Sequence, residues 1–89
     1  MKGKYLKKRS WEGQSFYKLD NGYIVVIEYN QHYGDMVSSV RSGKNSNKVL
    51  WHCSNGSKNK PNWLLSWEKP ISKGHWQTLT RPCFDKVFD

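Results

Sequence analysis

The side chains able to do chemistry in this chain are three histidines, two cysteines and seven acids, set among many cations and aromatics. His52 and Cys53 are adjacent, and Cys83 follows His75 by eight positions. A structural zinc needs four convergent ligands, usually from close pairs such as C-x2-C. Neighbours on a strand point to opposite faces, so His52 and Cys53 do not readily hold one ion together. No C-x2-C or H-x3-H spacing occurs, and neither a metal nor any other cofactor is expected. Cys53 or Cys83 with His32, His52 or His75 would make up a nucleophilic dyad. Nothing local marks either thiol as activated, and a free Cys commonly serves as a small buried hydrophobe. The acids form no close pair in an apolar setting of the kind that tunes a general acid. Three unclustered histidines are a weak basis for a phosphate-cleaving centre. Ser42-Gly43-Lys44 lacks the upstream Gly and the strand–loop–helix context of a phosphate loop. The residues therefore favour binding over catalysis, and the protein is read as a non-enzyme.

The remaining signal is the interleaving of cations with aromatics. The chain carries five Trp, five Tyr and three Phe, and Lys and Arg exceed Asp and Glu by 15 to 7, a net charge of +8. The excess is uneven. Lys2, Lys4, Lys7, Lys8 and Arg9 open the chain with no acid among them. Residues 11–35 place Lys18 against Glu12, Asp20, Glu28 and Asp35. Residues 36–67 carry Arg41, Lys44, Lys48, Lys58 and Lys60, again without an acid. Such clustering is the pattern of an electrostatic footprint. Single-strand binders pair a cationic groove with aromatic faces on which bases stack. The residues expected to contact nucleic acid are Lys4, Lys7, Lys8 and Arg9, then Trp11, then Arg41, Lys44 and Lys48 of one basic loop, Lys58 and Lys60 of a second, and Trp63. Trp51, Trp67, Phe16 and Ile27 are assigned to the core, and Trp11, Tyr33 and Trp63 to the surface. RNA or another single strand is preferred to duplex DNA, because no segment reads as a recognition helix for a major groove. The alternative is a small inhibitor or adaptor that docks on an acidic protein surface through Trp, Tyr and Arg anchors.

No apolar run approaches the roughly 18 residues of a transmembrane helix, and no apolar stretch follows the charged start as a signal peptide requires. Two cysteines cannot build a disulfide framework, so reduced thiols and a cytoplasmic location are expected. A single Cys53–Cys83 bridge stays open on sequence alone, as does the oligomeric state.

The elements that must position these groups fit within 89 residues, one domain. Residues 1–10 read as a basic arm with room for a first strand, and 11–89 as a single aromatic-rich, β-dominated unit. Gln14–Leu19 and Tyr23–Tyr29 form a hairpin about Asn21-Gly22, a dipeptide that favours a type I′ turn. Both faces of 23–29 are apolar, which places that strand centrally with cover on each side. Asp35 is positioned to cap a short helix over Met36, Val37 and Val40. Val49–Ser54 and His75–Thr80 read as strands, Asn62–Lys69 as a strand with a two-turn helix pairing Trp63 with Trp67 as its alternative, and Pro82–Phe88 as a short terminal helix. Ser42-Gly43-Lys44-Asn45 before Trp51 echoes Gly56-Ser57-Lys58-Asn59 before Trp63, each a basic loop leading to a Trp. The expected fold is mainly β or α+β: a curled antiparallel sheet or small barrel of four or five strands with one or two short helices.

Overall fold

A computed structural model describes residues 2–43, 48–56, 58–72, 74–81 and the backbone of 85–88. The strands are β1 (Lys2–Tyr5), β2 (Gln14–Leu19), β3 (Ile24–Asn30), β4 (Gly34–Arg41), β5 (Val49–His52), β6 (Glu68–Ser72), β7 (His75–Thr78) and β8 (Asp85–Phe88), with a 3-10 turn at Cys53–Asn55 and one α-helical turn, α1 (Asn62–Leu65). Among the described residues they form one sheet in the order β6-β7-β4-β3-β2-β1-β8, and β5 pairs with β4 as well. The sheet is mostly antiparallel and open, so the barrel is not formed, and it has more strands than the four or five expected. Its extra members are β4 in mid-chain and β1 and β8 at the two ends. Lys2–Tyr5 is not a free arm but a strand between β2 and β8.

The central hairpin stands where Asn21-Gly22 places it, although the turn is of another kind. The Gly22 amide donates to the Leu19 carbonyl, and Leu19 N donates to Tyr23 O. Gly22 has φ +90° while Asn21 does not enter the left-handed region. This is a three-residue loop closed by glycine, because Asp20 joins Asn21 and Gly22 in the connection.

The expected helix after Asp35 is instead β4. Its register pairs Val26 with Ser39 but Ile27 with Val37, so Ser38 is an extra residue, a β-bulge. The bulge resets the alternation and brings Val37 and Val40, three apart, onto the same face. That spacing imitates a helix, while Ser38, Ser39 and the β-branched valines favour extended backbone. The converse holds at 62–67. Trp63, Leu65 and Trp67 alternate like a strand, but the residues buried together are Leu64 and Trp67, and Leu65 is exposed. Their three-residue spacing belongs to the turn α1 and its exit, and the Trp63 and Trp67 rings lie 4.9 Å apart. The expected terminal helix is β8, which runs parallel to β1 and pairs Lys2 with Asp85 through Tyr5 with Phe88. It covers an edge of β1 that would otherwise leave its polar backbone unpaired. Arg81 anchors the approach to β8: its Nε meets Asp35 Oδ2 at 3.2 Å and its Nη2 donates to Ser15 Oγ at 2.8 Å.

One face of the sheet holds the core. Tyr17, Leu19, Val25, Ile27, Val37, Val40 and Trp51 pack beneath Leu64 and Trp67. Trp51 and Ile27 are fully buried and Trp67 nearly so, as their assignment required, whereas Phe16 is half-buried on the other face. Ile24 and Val26 point to that outer face and are still buried. Lys18 and Arg41 flank Ile24 in the ladder, and Phe16 and Ser39 flank Val26.

Candidate nucleic-acid interface

Strand alternation builds the outer face in rows. Lys4 lies directly opposite Lys18, and Lys18 is followed across the ladder by Ile24 and Arg41. Lys2 shares the face of Lys4. The second row is Phe16, Val26, Ser39 and His52, and the third is Gln14, Glu28, Met36 and Gln77. Lys2, Lys4 and Lys18 are exposed, while Arg41 is half-buried. The Arg41 guanidinium sits 5.7 Å from the centre of the Phe16 ring, and its Nε donates to Ser39 Oγ at 3.2 Å. Lys2, Lys4, Lys18, Leu19 and Asp20 line a shallow cleft at this end of the sheet. Asp20 Oδ2 accepts from the Lys2 backbone amide at 3.2 Å.

The first basic loop leaves from the same end. Ser42 N donates to Lys48 O at 3.0 Å, which pins the loop's two ends together and places Lys48 near Arg41. Gly43 lies against the Gly22 carbonyl of the neighbouring turn. Lys44 falls outside the described residues. Lys7, Lys8 and Arg9 are exposed on the turn that leaves β1, where Arg9 N and Ser10 N both donate to Leu6 O. They stand at the far end of the β1–β2 pair from Lys2. Trp11 is 65% exposed, and its Nε1 donates to Gln14 Oε1 at 2.9 Å.

The second basic loop does not join this surface. It wraps over Trp51 on the core side, where Trp51 Nε1 donates to Gly56 O at 2.9 Å. Lys58 is exposed there. Lys60 corrects the expectation outright: its ammonium is buried in an ion pair with Glu68. It lies 3.5 Å from the centre of the Trp76 ring and 4.7 Å from that of Trp51. Burial pushes the Lys60 pKa down and that of Glu68 up, each against the pull of its partner. Trp63 is half-buried, packed between Trp67 and the Tyr23 ring 6.3 Å away, so it covers the core. Tyr33, expected at the surface, is half-buried beside the His75 ring at 5.3 Å.

Sequence reading thus missed Lys18 and Phe16, which the ladder brings beside Lys4 and Arg41. Lys18 was hidden in the acid-rich stretch, although its spacing of two from Phe16 already put both on one face.

The histidines and Cys53 are engaged locally. His52 Nδ1 meets Ser54 Oγ at 2.9 Å, and His75 Nδ1 meets Ser72 Oγ at 2.8 Å. Cys53 is a free, half-buried thiol whose pKa is raised by burial and then by Glu28. Cys83 lies outside the described residues. Among the described residues, no three His, Cys, Asp or Glu are grouped to hold a metal ion, and no helix is long and apolar enough to cross a membrane. Comparison of the chain with protein-family models, curated proteins and solved structures finds no match.

Proposed function

We propose that the protein binds nucleic acid through the outer face of its sheet, without catalysis, and prefers RNA or another single strand. The observation that carries this reading is the row Lys4–Lys18–Ile24–Arg41. Like charges directly opposite on neighbouring strands oppose folding. Here two lysines face one another, with Lys2 on the same face and a guanidinium at the end of the row. A bound polyanion reverses the sign of that interaction by placing a phosphate between the cations. The single-strand preference rests on shape. The longer of the two helical turns among the described residues spans four residues, too short to fill a major groove, while a sheet face with an aromatic ring suits stacked bases.

The test is a fluorescence-anisotropy titration with single-stranded RNA and DNA at several salt concentrations. Each phosphate contact on a single strand contributes about 0.7 to the slope of log affinity against log salt. The double variant K4Q/K18Q should bind more weakly and lower that slope by about 1.4. Absence of binding at low salt, or an unchanged slope in the variant, would contradict the proposal.

A further inference from the structure

The outer face ends in a feature that charge alone does not explain. Trp11 is 65% exposed, yet its indole is held in place. Nε1 donates to Gln14 Oε1 at 2.9 Å, and Gln14 Nε2 in turn donates to Glu28 Oε1 on the neighbouring strand. The backbone repeats the constraint, since Trp11 and Gln14 exchange two 2.9 Å hydrogen bonds across a tight turn. An exposed indole gains little for folding, and fixing a side chain costs conformational entropy. A surface ring held in one orientation gains where something stacks on it, because the ordering is complete before the ligand arrives.

We infer that Trp11, oriented by Gln14 and Glu28, is the stacking platform for an unpaired base of the bound strand. This deepens the reading of the outer face as a nucleic-acid interface and rests on it. Gln14, Phe16 and Lys18 follow each other at alternate positions along β2, so Trp11 and the cationic row lie at opposite ends of one track. The four steps from Gln14 to Lys18 cover about 13 Å, a reach of a few nucleotides. Cations flank the indole on both sides of the track: Lys7, Lys8 and Arg9 are exposed on the turn just before Trp11, and Lys2, Lys4, Lys18 and Arg41 lie at the other end. The phosphates go to these cations, and the indole takes the neutral face of a base between them. A base within a duplex offers no free face, so the platform selects single strands. Gln14 acts here as a positioning residue.

The experiment compares two labelled RNAs of equal strand length, oligo(U) and a blunt-ended duplex, against the full chain. W11A should lose about 5- to 150-fold in affinity for oligo(U), the range that removal of one stacked base predicts, with duplex binding changed less than twofold. W11F, which still stacks, should retain most of the affinity. Q14A should lose several-fold, and W11A/Q14A no more than W11A alone, because the amide acts only through the indole. Unchanged melting temperatures show that the variants are folded. W11A within twofold of the unaltered protein on oligo(U), or equal losses on both RNAs, overturns the platform and leaves the electrostatic interface standing. Failure of the unaltered protein to bind either RNA at low salt overturns both readings.

Discussion

At the scale of single residues, the exchange of roles between Lys60 and Lys18 is the most instructive result. Lys60 has the sequence neighbours of a phosphate ligand, with Lys58 before it and Trp63 after it. Its fate depends on Glu68 and Trp76, which only tertiary structure brings to it. A buried ammonium needs a counter-charge and a favourable surface, and the carboxylate and two indole faces supply them. The second carboxylate oxygen, Oε1, is buried without a hydrogen bond, so the pair has no reserve of partners. Removal of one member from such a pair costs about 3–5 kcal/mol, whereas replacement of both by apolar groups is often neutral. K60M should therefore lose about this much in urea unfolding at neutral pH, and K60M/E68L should recover most of it. The loss must also depend on pH. The folded pKa of Glu68 already lies above its ordinary 4.5 and rises further without the ammonium. Its contribution is then full below 4.5 and lost as pH rises through the folded value. The penalty of K60M should shrink as pH falls toward that range. A penalty independent of pH, or one that persists in the double variant, would assign the cost to packing rather than charge.

At the scale of elements, the hairpin was legible because its signals are local: a β-rich run, Asn21-Gly22, and another β-rich run. The strand after Asp35 was not, and the turn at 62–65 stood only as the alternative to a strand, for one reason. A bulge at Ser38 gives a strand a three-residue spacing of core residues, and a turn that buries Leu64 with Trp67 leaves an alternating series of large residues in the sequence. Period identifies an element only where its backbone is regular. The strand at the C-terminus was hidden differently, since its partner β1 lies some 80 positions away. Contacts between loops are equally invisible from sequence, and Gly43 is a case with a measurable consequence. A Cβ there would meet the Gly22 carbonyl oxygen at 1.6 Å. That distance is far below van der Waals contact and the obstacle is backbone, so the two loops must part. G43A should cost about 1–3 kcal/mol in chemical denaturation, the usual range for overpacking. It should also increase amide exchange in the 20–23 turn. G13A offers the contrast, because nothing crowds Gly13 and strain comes only from its φ of +89°. Equal effects on exchange at 20–23 would show that the loops do not rest on each other.

At the scale of the whole molecule, the question is whether the charge acts as a total or as a pattern. Exposed cations lie on both sides of the sheet: Lys2, Lys4 and Lys18 on the outer face, Lys58 over the core side. A net +8 would attract a polyanion from any direction if only the sum mattered. Two substitutions of identical charge separate the cases. K18E and K58E each change the net charge by two, and both positions are exposed. If the outer face is the interface, K18E weakens RNA binding by about an order of magnitude at 0.1 M salt, while K58E moves it only through the long-range field, which is screened beyond about 10 Å at that salt. K18E carries a second signature. It replaces a like-charged cross-strand pair with an opposite one, worth about 0.2–1 kcal/mol per favourable pair. The variant that binds less should therefore be the more stable protein, with a melting temperature higher by about 1–5 °C. Weakened binding together with raised stability identifies Lys18 as a residue kept at the expense of the fold. Equal losses of affinity from K18E and K58E would instead make the charge a property of the whole surface, with no face set apart for the ligand.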